Sequence, residues 1–171
     1  GGVIHINTSV NQIVLKKCEV AALQAKSSCG DTFTEEVDSV IATTPSNVLT
    51  HLLPSLPESY RKLLNKARYM AALLIILILD RPLSDVYWLN VADRSIPFVA
   101  VIEHTRLVDP SMYGGKHIVY LSNYLDKEHP LYKLDHAALL DEYIPHLSKI
   151  NPSFDPSWIK KSYHQRIDAA Q

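Results

Sequence analysis

The chain has 171 residues, 47% of them hydrophobic and 20% charged, with a formal net charge of −1. This is ordinary globular composition with enough apolar material for a core, at a length that suits one domain or one domain plus part of another. The balanced charge excludes the concentrated basic face of a nucleic-acid binder, so no nucleic-acid partner is expected.

The first part of the chain reads as a β-meander. Val3–Ile6 and Val10–Lys16 are apolar-rich and flank the turn composition Asn7-Thr8-Ser9. Ala21, Leu23 and Ala25 alternate with polar neighbours, and Ser27-Ser28-Cys29-Gly30-Asp31 forms the next turn. Thr32–Val37 and Val40–Thr43 complete the predicted strands. At Thr44-Pro45-Ser46 the period changes. Pro45 suits a first helical turn, and Val48, Leu49, Leu52 and Leu53 follow at helical spacing. A second helix starts near Pro57-Glu58-Ser59 and carries the stripe Tyr60, Leu63, Leu64, Ala67.

Met70–Leu79 is a continuous apolar run closed by Asp80-Arg81-Pro82. It is about half as long as the roughly 20 residues a spanning helix needs, so it predicts a strand covered on both faces. Three more strands are expected at Val86–Val91, Pro97–His104 and His117–Tyr124, the last two joined by the loop Leu107–Lys116. Asp135 is placed to cap a helix presenting Leu139, Leu140, Tyr143, Ile144 and Leu147, with a break near Tyr143 imposed by Pro145. Asn151–Pro156 is a connector, and Ile159–Arg166 a final strand. A meander, a helix pair and then a sheet with helices make an α+β order. The natural boundary lies near Pro45, giving segments 1–45 and 46–171.

Cys18 and Cys29 show no Cys-x-x-Cys spacing and are expected as free thiols of a cytoplasmic protein. The eight histidines are scattered without ligand-like pairing, so no metal site is expected. Lys160-Lys161, near Arg166, read as a solvated strand face. Strand alternation puts Ile102 and His104 on one face, and Ile118, Tyr120 and Ser122 on one face of the neighbouring strand. A wall that mixes apolar and hydrogen-bonding groups suits a substrate cavity. It marks His104 and Tyr120 as candidate substrate-binding residues for a small molecule. Glu103 and His104, adjacent on a strand, point to opposite faces and cannot act as a dyad.

Two phrases carry a family resemblance. Gly1-Gly2 followed by Ile4, Val10 and Ile13, and Asp38, Val40, Ile41, Ala42 with Pro45, resemble segments of flavin-dependent amine oxidases and their relatives, the protoporphyrinogen oxidases and phytoene desaturases. A third stretch, Arg166–Gln171, resembles the segment before the family's last flavin-binding portion, although the expected proline is missing. The resemblance implies that Val10 lies against the adenine of FAD through its main chain, and that small residues at Ala42 and Thr43 permit close approach to the cofactor. It also implies that 1–45 is the edge of an FAD-binding domain and 46–171 a substrate-binding domain. No G-x-G-x-x-G occurs, so no phosphate cradle is expected within these residues.

The chain is therefore expected to be an internal piece of an FAD-dependent oxidoreductase, inactive alone, whose partner is the remainder of the FAD domain in the same polypeptide. A flavin-dependent nucleotide-sugar mutase is the alternative within flavin chemistry, to be recognised by paired arginines or tyrosines such as Arg106 and Tyr113. A non-enzymatic binding module is the alternative outside it. Membrane association is left open, with no amphipathic anchor to support it.

Overall fold

The computed structural model describes residues 2–170; Gly1 and Gln171, the ends of two of the quoted phrases, lie outside the described residues. The chain folds as two compact units, Gly1–Arg68 and Tyr69–Gln171. The helix pair after Pro45 thus belongs with the meander, beyond the boundary expected at that proline.

In the first unit, β1 (Thr8–Lys16), β2 (Glu19–Ser27) and β3 (Thr32–Glu36) form an antiparallel sheet in that order. The β1–β2 hairpin turns on Lys17 and Cys18, both left-handed at φ 52° and 67°. Such a two-residue reversal matches the right-handed twist of the strands but is normally made by Asn-Gly. One extra residue, Asn11, separates Val10 (paired with Ala25) from Gln12 (paired with Gln24). This β-bulge turns Val10 and Ile13, an odd number of positions apart, onto the same face. Ile13 and Ala25 are buried there and Ala22 on the opposite face, while α1 (Ser46–Leu52), entered through Pro45, covers part of β1. α2 (Glu58–Leu64) follows Pro57.

Two expected strands do not form. Val3–Ile6 and Val40–Thr43 have no ladder, and Ile4 and Ile41 are 87% and 91% exposed. Both segments have strand composition, but no neighbouring strand receives their backbone groups. Cys18 and Cys29 are free and exposed.

The second unit is an antiparallel five-stranded sheet, β5 (Trp88–Asn90), β6 (Ala100–Glu103), β7 (His117–Leu125), β4 (Ala71–Leu79), β8 (Ile159–Ile167), in that spatial order. Central β4 shows why its sequence is unbroken apolar. Leu73, Ile75, Leu77 and Leu79 are fully buried beneath α4 (His136–Tyr143) and α5 (Leu147–Ile150), together with Val119, Leu121, Leu139, Tyr143 and Leu147. Leu74, Ile76 and Ile78, on the other face, are only half-buried. The expectation of cover on both faces therefore holds for one face, because every helix of this core lies on the same side.

Asp135 caps α4 by accepting from the Ala138 N–H, and the helix gives way to a 3-10 turn at Ile144–His146 around Pro145. α3 (Pro130–Lys133), a single turn, was not expected from the sequence. Arg166 of β8 donates to the carbonyls of Tyr132 and Leu134, tying the strand to the α3–α4 connection. No helix among the described residues is long and apolar enough to cross a membrane.

Candidate functional site

The open face of the second unit is organised by strand register. Trp88 lies opposite Ile102, Ile102 opposite Tyr120, Tyr120 opposite Ile76, and Ile76 opposite Tyr163. Directly paired residues share a face, so these five side chains form one unbroken apolar and aromatic row across all the strands. Trp88 and Tyr163, at its ends, are about half exposed at 50% and 51%. A parallel row, Ile118, Ile78 and Lys161, runs beside it.

His104 does not continue β6; it opens a 3-10 turn, His104–Arg106. Its ring nevertheless meets Tyr120 edge-on at 5.9 Å and Tyr113 at 5.5 Å, and its Nε2 shares a 2.7 Å hydrogen bond with the Tyr113 hydroxyl. Gly114 and Gly115, both left-handed at φ 62° and 73°, reverse the chain after Tyr113 and return it to β7. The two candidates His104 and Tyr120 are thus in contact at one edge of the aromatic row. Tyr113 holds the imidazole there, a role that only the folded loop reveals.

Glu103 points the other way, as alternation requires. It is fully buried and accepts from the N–H groups of Leu83 at 3.0 Å and Ser84 at 3.2 Å, and from the Thr105 hydroxyl at 3.3 Å. Its second neighbour is His117, not His104: Nδ1 lies 3.6 Å from the carboxyl. Burial raises the Glu103 pKa, against the pull of those donors, and burial followed by the nearby Arg106 charge lowers that of His117. With three donors fixed on it, this carboxyl anchors the Leu83–Ser84 turn and is not presented to a ligand.

In the first unit, Val10, Ala42 and Thr43 line a single cavity of about 170 Å³ with Ile13, Leu23, Val40, Ile41, Thr44 and Leu52. The bulge at Asn11 is what brings Val10 to it. The lining is apolar and small, with Ala42 and Thr43 on an unladdered segment of exposed chain. These residues suit the flat, apolar face of an adenine. They offer no charged group and no glycine-rich turn for phosphates, so they fit one end of FAD and not its centre.

Among the described residues no cluster of three or more histidine, cysteine or carboxylate side chains could hold a metal ion. His136 and His164 do stack at 5.2 Å, with Nδ1 atoms 3.2 Å apart. Arg166 donates to His164 Nε2, which fixes that ring as neutral with its proton on Nδ1. The proton then points at His136, whose Nε2 lies 2.9 Å from the Ser162 hydroxyl. Burial first, then the Arg166 and His136 charges, lowers the His164 pKa.

An antiparallel sheet with helices on one face, preceded in the chain by a three-stranded meander, is an α+β arrangement shared with several solved structures. An oxidoreductase from Methanosarcina mazei superposes over 95% of this chain and 37% of its own, with a TM-score of 0.65 at 19% identity. A reduced UDP-galactopyranose mutase gives 0.60 at 16% identity, covering 86% of this chain and 32% of its own. A protein assigned as a protoporphyrinogen oxidase from Exiguobacterium sp. gives 0.57 at 16% identity, covering 95% and 34%. At such identities the likeness is one of fold, and the chain spans about a third of the length of these structures. The profile of flavin containing amine oxidoreductases matches residues 1–166, and the chain belongs to that family. No curated protein matches it significantly.

Proposed function

We propose that this chain is the substrate-binding portion, with one border of the cofactor domain, of an FAD-dependent oxidoreductase. The observation that carries this reading is the single cavity lined by Val10, Ala42 and Thr43. These residues come from the two phrases that resemble the flavin-bordering segments of the family, and a bulge is needed to gather them. FAD, when bound, supplies acceptance of a hydride from a C–N or C–C bond. The chain's own residues do the rest: Val10, Ala42 and Thr43 border the adenine end, and the row Trp88, Ile102, Tyr120, Ile76, Tyr163 walls the substrate and excludes water. His104, oriented by Tyr113, is the one imidazole in contact with that wall among the described residues of the second unit, and its role is to bind and orient a polar group of the substrate. The phosphate-binding half lies outside these residues, so the chain alone is inactive.

The mutase alternative finds less support. Arg106, its expected diphosphate ligand, donates to the Ser84 carbonyl and pairs with Asp85 at 2.6 Å. Tyr113 is taken up by His104.

The test is the complete polypeptide. It is expected to purify yellow, with a flavin absorption spectrum that a reducing substrate bleaches. Ala42→Trp, which fills the cavity, should lower the bound flavin on the order of tenfold or more with unchanged far-UV circular dichroism, as loss of about 1.4 kcal/mol of binding would do. A colourless complete protein, or full flavin occupancy in the tryptophan variant, would overturn the reading.

A further inference from the structure

Beside the aromatic row, on the same open face, Ile78, Ile118, Tyr113, Lys116, Lys160 and Lys161 enclose a cavity of about 320 Å³. Its floor is apolar, since Ile118 and Ile78 are direct cross-strand partners. Its charge is not balanced. Lys160 is neutralised by Asp80, 2.8 Å away, and donates to the Ser157 carbonyl at 2.7 Å. Among the described residues neither Lys116 nor Lys161 has a carboxylate partner. Lys116 sits two residues before Ile118 and Lys161 lies across β4 from it, so both ammonium groups border one apolar floor. By contrast Lys127, Lys133 and Lys149, the other lysines of the second unit, each find an acidic partner.

We infer that the substrate is amphiphilic, with an anionic end, carboxylate or phosphate, bracketed by Lys116 and Lys161 and an apolar body lying along the Ile102–Tyr120–Ile76 row. Two unpaired ammonium groups at the rim of an otherwise apolar wall attract an anion and repel an amine. The apolar wall in turn makes a small inorganic anion a poor occupant. Neighbouring strands are about 4.8 Å apart, so the body of such a ligand spans roughly 10–15 Å from the lysines toward β5. The inference rests on the proposed use of this face as the substrate wall, and it needs no flavin to be tested.

The experiment is calorimetric titration of the full 171-residue chain with octanoate, octyl phosphate, octanol and octylamine at low ionic strength. The neutral alcohol reports apolar binding anywhere on the protein. The anions are expected to bind on the order of tenfold more tightly than octanol, as about 0.7 kcal/mol from each ammonium group gives. The Lys116→Gln/Lys161→Gln double variant should lose that preference, while Lys127→Gln, which breaks the pair with Asp168, should keep it. A stronger response to octyl phosphate than to octanoate identifies the head as phosphate, and the reverse as carboxylate. Equal binding of octanol and both anions, tighter binding of octylamine, or an anion preference intact in the double variant would overturn the inference. Flavin content of the complete polypeptide is a separate readout: a yellow protein without anion preference refutes this inference alone, and a colourless one with it refutes only the oxidoreductase reading.

Discussion

At the scale of single residues, Glu103 is the clearest case of a polar group whose job is structural. A carboxylate beside a histidine invites an acid–base reading, yet two of its three donors come from the turn it holds and the third from Thr105, two residues on. Glu103→Ala leaves the buried Leu83 N–H and the half-buried Ser84 N–H without their acceptor and should cost about 2–4 kcal/mol in urea unfolding, whereas Glu103→Gln keeps one acceptor oxygen and should cost about 1 kcal/mol. The hairpin Lys17-Cys18 errs in the opposite direction. Both residues carry left-handed backbone that side chains oppose, so replacing them with Asn-Gly should raise stability by roughly 1 kcal/mol, read as a higher midpoint in the same titration. Two histidines add to the acid sensitivity. His117 and His164 both have pKa values below the ordinary 6.5, so the unfolded chain takes up protons that the folded chain refuses. Their contribution is complete above 6.5 and is lost as the pH falls through the folded values. Thermal midpoints should therefore drop between pH 7.5 and 5.5, and His164→Gln, which keeps an acceptor for Arg166, should flatten that slope.

At the scale of elements, β4 distinguishes a strand's two faces by energy. Ile75 is fully buried among core residues, and Ile75→Ala is expected to cost about 2–5 kcal/mol. Ile76, one position along, is half-buried on the open face, and its truncation should cost about 1 kcal/mol while weakening ligand binding. Unfolding and calorimetry on the two variants separate the roles. The run Ala71–Leu79 was legible as a strand from its length and its Asp80-Arg81-Pro82 stop, but a uniform apolar run carries no mark of which face is covered. The bulge at Asn11 illustrates a similar limit. The spacing of Val10 and Ile13 was visible, but alternation alone would have sent them to opposite faces. Only the pairing of β1 with β2 shows that they share one. The segments Val3–Ile6 and Val40–Thr43 fail for a plain reason: strand composition is a preference, and a strand exists only where another backbone meets it.

At the scale of the whole molecule, the α+β order, the meander and the flavoprotein family were all legible in the chain. Periodicity and turn chemistry are local, and a family's motifs survive as local phrases. His104 and Tyr120 could be nominated because both lie in segments rich in polar and aromatic residues. Trp88, Tyr163, Lys116 and Lys161 could not, since they are far apart in sequence and unremarkable in their own segments. The sequence by itself thus determined most of the strands and helices, Val3–Ile6, Val40–Thr43 and α3 excepted, and which family they serve. Only the tertiary structure decided the register that aligns Trp88, Ile102, Tyr120, Ile76 and Tyr163 in one row, the side of the sheet left without helices, and the gathering of Lys116 and Lys161 around one cavity. The physical reason is that register and charge pairing are set between strands, by hydrogen bonds and packing across long stretches of chain, and no single segment encodes its neighbour.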